Sequence, residues 1–196
     1  MPRRILKKRA AQVLLVTVAA AFMGCSAFLE SWTSSGPSMW PALYEQRFLT
    51  TLTPFTSLRR GDIVVFRLPH EDVTAVKRVV GLPGDTVEVR DGRVFIDGRA
   101  LGAERDVACP AGPEWLGPEL VCWVESAGDH RWLAARGTDG PAADLSNVGP
   151  VVVPPGAYYV VGDMRTQSND SRNPSIGTVP WSRVEGRLVW GEAEPP

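Results

Sequence analysis

Lysine is almost missing from this 196-residue chain: of 21 basic residues only Lys7, Lys8 and Lys77 are lysine, and the other 18 are arginine. Histidine occurs twice, as His70 and His130, and neither stands at metal-ligand spacing from the three cysteines. That argues against a zinc site, and no cofactor is expected. Neither histidine stands in a triad context, so a nucleophilic serine here would need another base. There is no heptad pattern and no repeat of about 20 to 50 residues, which excludes coiled coils and solenoids. Helical bundles fit poorly too, because 19 glycines and 17 prolines call for many turns and short strands. With 44% hydrophobic and 22% charged residues, disorder is not expected.

Charge is unevenly distributed. The net charge is −1, yet the first nine residues hold five basic side chains and no acid, so the remainder carries −6. An acidic body argues against a nucleic-acid-binding surface. From Ala10 to Leu29 no residue is charged. Twenty helical residues span about 30 Å, the thickness of a bilayer's hydrocarbon core. Basic residues before the run and Glu30 after it orient the N-terminus toward the cytoplasm. The expected organisation is a basic cytoplasmic segment (1–9), a single membrane anchor (10–29) and an extracytoplasmic body (30–196). A retained anchor is preferred over cleavage near Ala19–Ala21 and over lipid attachment at Cys25.

Beyond a linker over residues 30–45, strand signals dominate. A turn at Gly61 and Asp62 precedes a strand within 59–69, and VTAVKRVVG (73–81) reads as a second. TVEVRDGRVFIDG (86–98) forms two alternating runs around Asp91 and Gly92, a strong hairpin signal. Residues 99–150 lack a long period and read as an insertion with irregular strands. Strand chemistry returns at 151–163, and 181–190 is expected to close the sheet. The body is therefore mainly β. Cys109 and Cys122 lie in the Pro/Gly-rich insertion, where an oxidising compartment would permit a disulfide and two free buried thiols are the alternative.

Lys77 interrupts a β-branched, apolar run. Alternation puts Ala75 and Val79 on its face, an environment that lowers an amine's pKa and lets it serve as a base, a task arginine cannot perform. Ser38, in SSGPSMWPAL, sits on a loop stiffened by Gly36, Pro37 and Pro41 and is the candidate nucleophile. In GDMRTQSNDSRNPSIG (162–177), six polar side chains run from Arg165 to Asp170. Beside a plain solvated loop stands a functional reading, in which the Ser168 hydroxyl orients the lysine while Asp170 and Arg172 pair to fix the loop.

Four stretches occur in order: SGPSMWPAL (35–43), RRGDIVVF (59–66), VKRVVGLPGD (76–85) and GDMRTQSNDSR (162–172). Following an apolar segment, they resemble the type I signal peptidases, membrane-bound Ser/Lys endopeptidases that cut signal peptides from exported preproteins. The resemblance implies Ser38 as nucleophile, Lys77 as general base, Ser168 as the positioning hydroxyl, and Asp170 with Arg172 in support. It also implies a β catalytic core shared with the self-cleaving SOS repressors and carrying an inserted subdomain. A monomer cutting after small residues in Ala-x-Ala fashion at the cytoplasmic membrane is the expectation, with signal peptides and the lipid bilayer as partners. Some relatives carry a serine two residues before the nucleophile, lending its hydroxyl to the oxyanion hole; here that position is Gly36. Met164, Thr166 and Gln167 also depart from the usual Asn and Asp-Asn. A disulfide in the insertion occurs in some relatives. The alternatives are a processing peptidase for one pilin-like or conjugation substrate, and a membrane-tethered β binding module without catalysis.

Overall fold

β-branched runs bounded by turn residues set the centre of the fold. The computed structural model describes residues 29–52, 57–69, 72–102, 106–116, 119–138, 140 and 142–192. Its strands are β1 (Leu29–Thr33), β2 (Arg47–Leu52), β3 (Ile63–Arg67), β4 (Thr74–Gly81), β5 (Thr86–Arg90), β6 (Arg93–Ile96) and β7 (Arg99–Ala100). There follow β8 (Asp106–Val107), β9 (Val121–Ala127), β10 (His130–Arg136), β11 (Val148–Val152), β12 (Ala157–Val161), β13 (Val179–Pro180) and β14 (Val184–Trp190). Helical segments among the described residues are short 3-10 turns. The protein is mainly β, as its turn-rich composition implies.

The main sheet has the order β1-β2-β14-β3-β4-β12-β13. A second sheet runs β11-β5-β6-β7 and a third β10-β9-β8. The expected hairpin forms: Arg90 pairs with Arg93 across Asp91 and Gly92, both at positive φ (50° and 77°), the geometry a two-residue turn demands. The 151–163 run holds the end of β11 and all of β12, separated by Pro154 and Pro155, which cannot donate to a ladder.

Two expectations about the main sheet need correction. Leu29–Thr33, within the expected anchor end and linker, is edge strand β1, paired residue for residue with β2. Its only inward contact of note is half-buried Trp32, which donates from Nε1 to Thr50 Oγ1 at 2.9 Å, so the sequence offered no alternation to read. β14 does not close the sheet but lies between β2 and β3. Residues 10–28 of the expected anchor lie outside the described residues, among which no helix is long and apolar enough to cross a membrane.

Among the described residues, four apolar clusters fill the interior. One packs Val64, Phe66, Val79 and Val160, with Ala75 against it. Another holds Val80, Val87, Val89, Trp132 and Tyr159 between the main and second sheets. Trp40, Leu116, Cys122, Leu133 and Met164 form a third, and Met39, Leu43, Phe48, Ile63 and Val65 a fourth. Cys109 and Cys122 are joined in a disulfide with Cα atoms 5.3 Å apart, which decides between the two readings of that pair. Trp123 and Trp132 are core residues, each about 1% exposed.

Candidate active site

Ser38 is placed by its neighbours. Gly36 is extended (φ −125°, ψ 162°), and Pro37–Met39 then form one 3-10 turn. Met39 is buried in the fourth cluster and Trp40 in the third, so the segment is pinned on two sides. Ser38, between the pins, faces a cleft of about 230 Å³. Ser34, Ser35 and Gly36 form one lip, Thr74 to Lys77 of β4 form the other, and Trp32, Phe48 and Val65 add apolar lining.

Lys77 reaches this cleft from the middle of β4, with only 5% of its surface exposed. Its Nζ donates to Ser38 Oγ at 2.8 Å and to the Val76 carbonyl at 2.7 Å. Burial brings the amine's pKa down from 10.5 to about 8, against the opposing pull of Asp170 and Asp163 and with help from the Arg172 cation. A lysine at that value holds a useful neutral fraction near pH 8.

The Gly162–Arg172 segment forms the wall behind the pair. Gly162 leaves no room for a side chain: a Cβ there would collide with Ser168 Oγ and the Ser38 carbonyl oxygen. Met164 N–H donates to that carbonyl at 3.1 Å. Asp170, fully buried, accepts from the Gly162 N–H (2.8 Å), the Ser168 hydroxyl (2.7 Å), and Arg172 Nε and Nη2 (2.8 and 2.9 Å). Burial pushes this carboxyl's pKa up, but the Arg172 cation and the donated hydrogen bonds outweigh it, and the net position lies below the ordinary value. The expected Asp170–Arg172 ion pair is therefore present. Ser168 differs from expectation in one respect: its hydroxyl donates to Asp170, and the two hydrogen bonds of Lys77 go to Ser38 and Val76. A buried carboxylate is the stronger acceptor, and the lone pairs of Ser168 Oγ stay unassigned.

Several residues bearing on the site escaped the sequence reading. Arg78, beside Lys77 on β4, binds Asp163 through both carboxylate oxygens (2.8 and 2.7 Å) and Glu192 at 2.7 Å. Burial works against the Arg78 cation, but Asp163 and Glu192 raise its pKa above the ordinary guanidinium value. Gly162, Glu125 and Arg165 were missed likewise. One signal existed for Glu125: it is a lone carboxylate in the apolar run of β9. His130 is partly exposed, edge-on to Trp132 at 5.5 Å and 3.9 Å from the Glu192 carboxylate; His70 lies outside the described residues. Among the described residues no group of three His, Cys, Asp or Glu side chains could hold a metal ion.

Comparison with known proteins gives a consistent assignment. The family described as signal peptidase, peptidase S26, matches residues 7–190. Signal peptidase I of Bacillus licheniformis is 30% identical over 178 residues, covering 89% of this chain and 82% of that protein. Signal peptidase I S of Bacillus subtilis (strain 168) is 32% identical over 170 residues, 83% of this chain and 77% of its own. Signal peptidase I of Pseudomonas aeruginosa is 34% identical over 153 residues, 72% of this chain and 52% of its own. Among solved structures, a signal peptidase I from Enterococcus faecalis V583 aligns at TM-score 0.42 and 28% identity, over 69% of this chain and all of that one.

Proposed function

The chain belongs to the signal peptidase family, peptidase S26, and on that footing we propose that it is a membrane-bound serine endopeptidase that removes N-terminal signal peptides from exported preproteins with a Ser38–Lys77 dyad. The observation that carries the reading is a buried lysine whose Nζ lies 2.8 Å from a serine hydroxyl at the floor of an open cleft.

In this mechanism the preprotein enters as an extended strand between the Ser34–Gly36 lip and the Thr74–Lys77 stretch of β4. Main-chain hydrogen bonds supply affinity, and the shallow apolar lining accepts small side chains at the first and third positions before the cut. Neutral Lys77 takes the Ser38 proton as Oγ attacks the scissile carbonyl carbon. The oxyanion meets the Ser38 backbone N–H; Pro37 has none to offer and Gly36 brings no hydroxyl. As the C–N bond breaks, the Lys77 ammonium protonates the leaving amine. Water then gives a proton to Lys77 as it attacks the ester carbonyl carbon, and as the C–Oγ bond breaks the Lys77 ammonium returns a proton to Ser38 and the acid product leaves. Ser168, Asp170 and Arg172 hold the wall against which the lysine is set.

Residues 10–28 are the membrane anchor in this reading, with residues 1–9 cytoplasmic, the body from β1 onward on the far side of the cytoplasmic membrane and 99–150 a variable insertion. The uncharged run between a basic segment and Glu30 supports it. Tethering raises the effective concentration of the site where signal peptides emerge.

The test is turnover of several unrelated preproteins by the purified full chain. Cutting of all of them after a small residue, and its loss in Ser38→Ala and in Lys77→Arg with folding retained, is the expected result. Cutting of a single preprotein would favour a specialised processing peptidase. Unchanged biological activity in both variants would favour a non-catalytic binding module.

A further inference from the structure

We propose that Glu125 is a positioning residue of this active site, acting through Arg165 on the loop that carries Ser168 and Asp170; the proposal rests on the protease reading above. Glu125 lies on β9, in the third sheet, outside the four stretches that identify the family. It is 1% exposed. Its carboxylate accepts four N–H groups: Trp123 Nε1 at 3.1 Å, Trp132 Nε1 at 2.9 Å, and Arg165 Nη1 and Nη2 at 2.8 and 2.7 Å. The strand ladder builds this cradle. Trp123 is two residues away on the same face of β9, and Trp132 stands directly opposite Glu125 on β10.

Arg165 passes the constraint on. It is fully buried, and its Nε donates to the Gly162 carbonyl at 3.0 Å while its Nη1 also reaches the Gly92 carbonyl. Its own carbonyl accepts Arg172 Nη2 at 2.7 Å, the nitrogen that also meets Asp170 Oδ2 and the Ser168 carbonyl. Gly162 in turn donates its N–H to Asp170 Oδ2 at 2.8 Å, and a Cβ at Gly162 would collide with the Ser38 carbonyl and the Ser168 hydroxyl. Every contact from Glu125 to Asp170 is thus a hydrogen bond of a charged or backbone group. β10 adds a second stitch, since Ala135 N–H donates to the Asp163 carbonyl at 2.8 Å.

A buried ion pair is weak evidence of stability, because apolar replacements of both partners are often equally stable. What this pair does supply is a fixed distance between the third sheet and the catalytic loop. Misplacement of a catalytic group by about 1 Å lowers a rate about a hundredfold. Loosening the loop would also admit water to Lys77, whose lowered pKa depends first on burial.

The experiment uses the full chain with a preprotein or peptide that the wild type turns over and Ser38→Ala does not; a wild type without turnover would sink the protease reading instead. Glu125→Gln keeps the shape and removes the charge. The expected result is a loss in kcat of about tenfold or more, KM within about twofold, and the alkaline-going rise of kcat displaced to higher pH. Should Glu125→Gln fold poorly, the double variant Glu125→Leu/Arg165→Met removes both charges; it is expected to fold and to show the same loss and displacement. A folded variant of either kind with wild-type kcat and an unmoved pH profile, or with only a lowered melting temperature, would overturn the proposal.

Discussion

The Ser168 hydroxyl donates its proton to Asp170 Oδ2, 2.7 Å away, and the Gly162 N–H lands on the same oxygen at 2.8 Å. The donated proton leaves only lone pairs on Ser168 Oγ, and these are expected to take an N–H from Lys77 once Ser38 loses its proton and turns to the substrate. Ser168→Ala deletes that acceptor and one of the donors to Asp170. Stability should fall by only about 1 kcal/mol, the worth of one hydrogen bond, while kcat falls about tenfold to a hundredfold. Steady-state kinetics beside a melting curve separates the two effects. A Ser168→Ala enzyme with full kcat would remove Ser168 from the mechanism.

Activity should climb with pH through about 8, where burial places the Lys77 amine. The direction follows from the role: the base must be neutral, so the acid side is the inactive side. The rate should rise about tenfold per pH unit well below the midpoint and level off above it. A profile of kcat/KM from pH 5 to pH 10 on an intact enzyme decides this, and a flat profile would defeat control by Lys77.

Much of the site was legible because its residues are compositional or local exceptions. Lys77 stands out as the only lysine beyond the basic N-terminus, in an apolar strand, and Ser38 follows a Gly-Pro loop. The Asp91–Gly92 hairpin and β4 were legible for the same local reasons. The place of β14 between β2 and β3 was not, since neighbours in that part of the sheet are more than a hundred residues apart in sequence and strand order leaves no local trace. β1 escaped because four of its five residues are exposed and an edge strand with one inward side chain has no period. Arg78 and Arg165 look like ordinary charges until the fold buries Arg78 against Asp163 and Arg165 against Glu125, whose place in an apolar run was the one local signal.

Gly36 predicts a gain of function. Its φ of −125° suits any residue, and nothing lies within 4 Å of where a Cβ would stand. Gly36→Ser should therefore fold as the wild type does and place a hydroxyl on the lip of the cleft two residues before the nucleophile. One oxyanion donor is worth about a hundredfold to a thousandfold where its geometry is ideal. On a flexible serine, a rise in kcat of about threefold to tenfold is expected, with KM unchanged. Substitution by alanine at the same position separates the hydroxyl from the side chain's bulk: Gly36→Ala should show no rise. Equal rates for the serine and alanine variants would place the oxyanion elsewhere.

Lys77→Met should abolish turnover and yet stabilise the fold at neutral pH. The folded pKa of the amine is about 8 against an ordinary 10.5. Between those two values the unfolded chain binds more protons than the folded one, so wild-type stability increases as pH rises through that window. Below about pH 8 both states carry the proton and the wild type bears the whole burden of a buried cation, about 3 kcal/mol for a displacement of that size. Methionine fills the same channel without charge, though it gives up the bonds to Ser38 and Val76, worth about 1 kcal/mol each. The balance is a gain of about 1 to 2 kcal/mol at pH 7, shrinking and then reversing by about pH 10. Denaturant melts of both proteins at the two pH values test it, and a difference that stays constant with pH would mean that Lys77 is not held by burial at a lowered pKa.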